Sequence, residues 1–416
     1  MFKNITKEQK INFLLYFTAI AFASIALGLS MSIFSNYFKD AYNVSAYQRG
    51  ILEIPRELPG LFCLLLIGIG SFLGDIKLMI VAILLTTVSI FLLGLTTPTF
   101  IIMSIYVFIN SVGFHLYFVL KESIGLSLIT DKSNVGKRLG QYGAISKASR
   151  MIGGIIVFLG FSMGYFSFTA PIKWIFIAAS GISLFSVVAL MILSKRIPYK
   201  IHDNTKMKFR INKKYKYYYV LAILFGAQKQ IAMVFGPWVL IDLLNKGADT
   251  LSVLNIVGAF ICIFFVPAIG KWIDKLGIKK MLYLDAISFI IVYVLYGILS
   301  GMFYNNVIAT VGIPLMIAYG LYILDMMSES MNIIRISYLR DIVEHDNDIV
   351  HTLSMGTSLD HIVSILCAYA GGAIWIKFGP QYVFFFAAIL SFMNVFVAYK
   401  VKITHHVPVE NNRLIK

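Results

Sequence analysis

The chain alternates between long apolar runs and short polar breaks, and this pattern repeats from one end to the other. A bilayer core needs about 20 apolar residues at a rise of about 1.5 Å each, so every run is long enough for a membrane-spanning helix. The pattern predicts spans near 11–38, 49–73, 78–97, 100–129, 140–165 and 171–194. A second set follows near 217–243, 250–270, 279–301, 306–334, 350–373 and 379–400. We number these twelve span 1 to span 12. Between the sixes lies 195–216, with nine Lys or Arg and few large apolar residues, too short and too basic to be a domain. The expected class is an all-α membrane protein of twelve transmembrane helices in two pseudo-symmetric six-helix bundles. Residues 1–194 form one bundle, 195–216 the basic linker and 217–416 the other.

Composition sharpens this. The chain is 59% hydrophobic and 13% charged, against about 45–50% and about 25% for soluble domains. A soluble chain could not hide that much apolar surface. The net charge of +16 raises nucleic acid as a partner. However, no basic stripe interleaves with aromatics in a polar domain, so nucleic acid is not expected. Cys63, Cys262 and Cys367 all lie in apolar runs and offer neither a disulfide framework nor a CxxC pair. Ala21-Phe22-Ala23 mimics a signal-peptidase site, but the apolar run continues to Phe38 and reads as a retained span. With the termini placed inside, 26 of 36 basic residues fall on their side and five opposite: Lys39, Arg49, Lys173, Lys246 and Lys377. That bias predicts a multi-pass protein of the plasma or inner membrane with both termini and the linker cytoplasmic.

One connection carries a motif: Gly270-Lys271-Trp272-Ile273-Asp274-Lys275-Leu276-Gly277-Ile278-Lys279-Lys280. A degraded copy, Ser71-Phe72-Leu73-Gly74-Asp75-Ile76-Lys77, lies half a chain earlier with Ser71 for the leading glycine and no later one. Corresponding loops in two hydrophobic halves point to a duplicated transporter. The pattern resembles the cytoplasmic loop motif of the major facilitator superfamily, and Gly136-Lys137-Arg138-Leu139-Gly140 looks like the segment before its fifth helix. The resemblance implies alternating access of two six-helix bundles around a central site, a small-molecule solute, no cofactor and a monomer. It also implies a cytoplasmic gate built from Asp75, Lys77, Gly270, Asp274, Lys275, Gly277, Lys279 and Lys280. There Gly270 would let two helices approach, Gly277 would permit the turn, and Asp274 would latch spans 8 and 11. Otherwise the loop is a solvated turn with ordinary positive-inside lysines. The span-4 arginine common in proton exchangers of that superfamily and the Gly-Pro-rich motif of its drug antiporters are absent.

Charges within the spans cost at least about 2.5–3.5 kcal/mol each on insertion scales, so each needs a reason. Span 4 carries Lys121 and Glu122, span 5 Lys147 and Arg150, span 7 Lys229, span 10 Asp325 and Glu329, and span 11 Asp360 and His361. Nearer the opposite side, span 2 holds Glu53, Arg56 and Glu57. We expect Lys121, Lys147, Arg150 and Lys229 to bind an anionic group. Proton exchange is expected at Glu122, Asp325, Glu329, Asp360 and His361, the last because its reference pKa is about 6.5. The competing reading is a set of neutralised pairs that only hold helices together. A metal site from His115, His361 and these acids lacks any fixed ligand spacing, so no metal is expected.

Gly236-Pro237-Trp238 should kink span 7, and Pro55 and Pro59 should perturb span 2. Gly153-Gly154 and Gly371-Gly372 should allow close packing. Neither a partnered nucleophile nor a phosphate-cradling loop is apparent, so an enzyme or ATP-driven pump is not expected. The leading reading is a proton-coupled secondary transporter of a small anionic or zwitterionic organic solute. The alternatives are proton-driven efflux of amphipathic cations through Asp325, Glu329 and Asp360, and a non-transporting scaffold or sensor.

Overall fold

The computed structural model describes residues 6–129, 135–197, 212–343 and 346–401, all helices and short connections with no strand among them. Most of the linker, 198–211, and the basic residues before 6 and after 401 lie outside that set. Among the described residues, ten helices are long and apolar enough to cross a membrane: Lys7–Tyr42, Asp75–Leu95, Phe100–Ser127, Gly140–Ser162, Trp174–Arg196, Lys213–Leu243, Ala248–Leu276, Ile278–Tyr304, Thr352–Phe378 and Pro380–Lys400. These are spans 1, 3–9, 11 and 12. The other two passages are interrupted, and the whole fits two bundles of six.

Span 2 was expected as one helix from 49 to 73. It is instead Ala46–Ile51, Glu53–Leu61 and Cys63–Gly70, with a bend of 53° between Ala46–Leu61 and Leu65–Leu73. Pro55 has no N–H for the Ile51 carbonyl and its ring crowds that turn, so the ladder breaks at Leu52; a second break follows at Phe62. Span 10 begins at 313 rather than 306, after Gly312 turns at φ +69°, and divides into Ile313–Ser330 and Ile333–Ile342. In span 7 the helix passes into a π-turn over Val239–Leu243, directly after Pro237. Span 1 holds an unexpected break, a 3-10 turn at Met31–Ile33. There the Ser30 and Ser32 hydroxyls donate back to the carbonyls of Ala26 and Gly28, both at 2.9 Å, in competition with the ladder. Just before this turn span 5 crosses span 1 at glycines. A Cβ on Gly28 would stand 2.5 Å from the Arg150 carbonyl oxygen, and one on Gly153 would stand 2.6 Å from that of Ile25.

The buried apolar residues divide unequally between the two faces. On the face away from the termini, called the far side here, one cluster runs through both halves and joins Phe34, Phe38 and Val157 to Trp238, Leu251 and Trp375. On the termini side each half has its own: one around Tyr16, Met79 and Leu120, the other around Tyr219, Met281 and Tyr338. Polar contacts between the halves follow the same division. Lys39 pairs with Asp242 at 2.5 Å, the Asn36 amide donates to the Lys246 carbonyl at 3.1 Å, and Tyr47 donates to the Tyr369 hydroxyl at 3.1 Å. Gly50 lies against the Ala368 carbonyl, and a Cβ on Gly372 would be 2.7 Å from the Ala46 carbonyl oxygen. The halves are sealed on the far side and parted on the termini side.

Three basic residues sit elsewhere than the charge count assumed. Arg49 is buried against Glu53, Lys173 is buried and donates to Thr97 and to the Pro171 carbonyl, and Arg335 is buried against Asp285 at 2.6 Å. Each is internal, held by an acid or by carbonyl and hydroxyl acceptors.

Candidate functional site

The parting of the halves opens a cleft, and helix faces show what lines it. Gly154 of span 5 meets Ile256 of span 8, where a Cβ would touch it at 3.2 Å. Positions 147, 150 and 154 share one helix face, so Lys147 and Arg150 point the same way, below that contact. Both are exposed, and among the described residues neither has an acidic partner. On span 8 the face of Ile256 continues to Phe260 and Ile263, also exposed. A basic pair therefore looks across at an apolar, aromatic wall. Span 4 repeats the pattern: His115 meets His361 of span 11 with ring centroids 5.2 Å apart, and Val119, Glu122 and Leu126 on that face are exposed.

The other charges are mostly engaged. Lys121 is buried with its ammonium 3.1 Å from the exposed Glu122 carboxylate, while its backbone carbonyl accepts from Tyr16. Lys229 donates to both oxygens of Asp360 at 2.9 and 2.8 Å, and Ser364 donates to the same carboxylate at 3.1 Å. Glu329 lies within the field of this pair. Asp325 turns away from the cleft toward Gly236 and the Tyr296 hydroxyl inside the second bundle, and its Oδ1 is buried without a hydrogen bond. The structure thus pairs Lys229 with Asp360 and leaves Lys147 and Arg150 apart from them.

A dense knot on span 2 ties the halves just beyond. Glu53 accepts from Arg49 and Arg56 of its own span and from Gln230 of span 7, the last at 2.8 Å. One helical turn on, Glu57 accepts from His361 Nδ1 at 2.7 Å. Sequence reasoning saw Glu53, Arg56 and Glu57 as residues near one surface and missed their cross-half partners. Only the charge density of Arg49-Gly50-Ile51-Leu52-Glu53-Ile54-Pro55-Arg56-Glu57 signalled such a knot.

The sequence profile of the Major Facilitator Superfamily matches residues 16–339. The chain belongs to the major facilitator superfamily. Solved structures of the same fold cover nearly all of it. They include the nucleoside transporter NupG, with a TM-score of 0.69 at 13% identity over 95% of this chain and 100% of that one. A POT family transporter gives 0.73 at 10% identity over 93% and 95%. A D-xylose-proton symporter gives 0.66 at 12% over 93% and 96%. At such identities the likeness is one of fold. No curated relative matches by sequence.

The superfamily loop motif takes a register different from the expected one. Gly74 and Gly277 have matching backbones, φ/ψ 75°/155° and 81°/154°, and each opens the following span. Gly74 is thus the turn glycine of the first copy, so Asp75 falls after the turn and Asp274 three residues before it. Asp75 starts span 3 and accepts from Ser123 of span 4 at 2.6 Å. Asp274, Lys275 and Lys280 are exposed, as is Lys77. Lys279 donates to the carbonyls of Tyr399 and Val401 at 3.1 Å each, where span 12 ends. A Cβ on Gly270 would meet nothing within 4 Å, so the close approach expected there is not made in this conformation. Gly136–Gly140 begins span 5, where Arg138 donates to Gln141 at 3.1 Å; the side chain of Lys137 lies outside the described residues.

Proposed function

We propose that this transporter moves a small organic anion or zwitterion by alternating access, coupled to protons. The observation that carries the reading is the Lys147–Arg150 pair: two cations at mid-depth, facing the cleft, with no acid among the described residues to neutralise them. Unpaired charges there are costly unless a ligand completes them. Their arrangement opposite Phe260 and Ile263 suits a solute with a negative group and an apolar body. Of the carboxylates that cation efflux would need, Asp360 is held by Lys229 and Asp325 is turned into the second bundle, which disfavours that alternative.

Coupling is assigned to the Lys229–Asp360 pair. While Asp360 is ionised it holds the Lys229 ammonium; protonating it frees that ammonium for an anion. Proton and anion then bind cooperatively, which is the thermodynamic basis of symport. Glu329 and Glu122 share the proton load, and His361 is held in a separate role described below. We assign the termini side to the cytoplasm of a plasma or inner membrane from the lysine and arginine bias. The gate residues Asp75, Lys77, Gly270, Asp274, Lys275, Gly277, Lys279 and Lys280 are proposed to close this side in the alternate state.

A ligand that binds the folded protein raises its melting temperature by mass action. In a detergent thermal-shift screen of metabolites at about pH 5.5 and 7.5, organic anions should stabilise the protein, more at the lower pH. The Lys147→Ala/Arg150→Ala variant should weaken that binding about 10- to 100-fold, from the loss of charged hydrogen bonds. Unchanged anion affinity in that variant would sink the proposal.

A further inference from the structure

Where the knot on span 2 meets spans 4 and 11, two imidazoles and a carboxylate come together. His115 Nδ1 lies 2.9 Å from the Ser111 carbonyl oxygen and 3.1 Å from the Ser111 hydroxyl, which itself donates to the Arg56 carbonyl. A carbonyl can only accept, so His115 Nδ1 carries the proton and Nε2 is left with its lone pair. His361 Nδ1 lies 2.7 Å from the Glu57 carboxylate. Both rings pack on Gly60: a Cβ there would run into His361 Cε1 and stand 2.5 Å from His361 Nε2 and 2.7 Å from His115 Nε2. One ligand atom from each of Glu57, His115 and His361 lies within 4.8 Å of the others. Glycine is what leaves this point open.

Two imidazoles and a carboxylate gathered this closely make a ligand set for a divalent metal ion. We propose that His115, His361 and Glu57 form a site for a first-row divalent transition metal of the zinc type. Imidazole nitrogens with one carboxylate suit such ions, whereas calcium and magnesium require oxygen ligands. For Zn–N bonds of about 2.0–2.1 Å the ligand atoms stand about 3.3 Å apart, so modest side-chain rotations close the site. Ser111 fixes the tautomer and orientation of His115, as outer partners of metal-binding histidines do. Glu57 gives up its contact with His361 Nδ1 and ligates through one carboxylate oxygen, the ion taking the place of the proton they share. The nearby charges of Arg56 and Lys229 are offset by Glu53 and Asp360.

The ligands come from both halves, His115 and Glu57 from the first and His361 from the second, at the inner edge of the far-side seal. A bound ion therefore staples this seal and favours the conformation open on the termini side. The proposal does not rest on the solute reading, because metal binding is measured without transport.

The test is Zn2+ titration of the full-length protein, purified without a histidine tag, with Co2+ absorption reporting coordination by nitrogen. One saturable Zn2+ per chain is expected, with binding weakened at least about 10-fold in Glu57→Gln and further in His115→Ala and His361→Ala. His405 and His406 near the C-terminus are the control: a His405→Ala/His406→Ala variant should keep the site. Gly60→Ala fills the meeting point and should abolish binding even if a histidine variant fails to fold. Wild-type Zn2+ affinity in His115→Ala, His361→Ala or Gly60→Ala would overturn the proposal. So would binding lost only with His405 and His406.

Discussion

At the scale of single residues, the charges divide into those that hold the fold and those left for a ligand. Asp285 and Arg335 belong to the first kind: both are fully buried, 2.6 Å apart, with the guanidinium also stacked 4.3 Å from the Phe225 ring centre. Removing one member strands a buried charge, so Asp285→Ala should destabilise the protein by about 3–5 kcal/mol. Detergent thermal denaturation checks this, and an apolar double replacement, Asp285→Leu/Arg335→Met, should recover most of the loss. A single variant as stable as wild type would show that the pair contributes nothing. The sequence marked many mid-span charges individually, because burial in lipid makes a charge conspicuous, but it passed over Asp285 in span 9. It could not mark their partners, which come from distant segments: Lys229 is 131 residues from Asp360, and His361 is 304 from Glu57. Periodicity within one helix carries no information about which face meets which. For the same reason the sequence reading weighed His115 with His361 as metal ligands and set the site aside for want of a ligand spacing; their closeness shows only where span 11 reaches span 4.

At the scale of elements, apolar length predicted the continuous helices well and the interrupted ones poorly. Span 10 carries Asp325 and Glu329, so charges rather than length mark its interior. Span 2 breaks at a proline that was noted, whereas the turn in span 1 arises from serine hydroxyls and from the crossing of span 5, which single-helix patterning does not encode. Glycines expected to allow close packing do so at the seal: Gly372 sits against the backbone of Ala46 and Tyr47. A bulky side chain there must separate spans 2 and 11. Gly372→Leu should therefore weaken the far-side seal and raise labelling of a cysteine placed at Tyr47 by a membrane-impermeant thiol reagent. Labelling as slow as in the Gly372 parent would show that the contact does not hold that side shut.

At the scale of the molecule, one shared core on the far side and two separate cores on the termini side define a state open to one face. Alternating access requires the converse state, in which the seal at Lys39–Asp242 and Tyr47–Tyr369 parts and the loop glycines Gly74 and Gly277 bring spans 2 and 8 toward spans 11 and 5. The exposure of Asp274 and the empty space around Gly270 fit a gate that engages only then. The central claim is that a proton and an organic anion move together, with Lys147 and Arg150 holding the anion and Asp360 the proton. The most direct test is uptake of anions by proteoliposomes under an imposed pH gradient, comparing wild type, Lys147→Ala/Arg150→Ala and Asp360→Asn. Gradient-driven accumulation is predicted for wild type, little uptake of any kind for the basic-pair variant, and only pH-independent exchange for Asp360→Asn. Anion accumulation that persists in the basic-pair variant, or that ignores the gradient in wild type, would contradict the account.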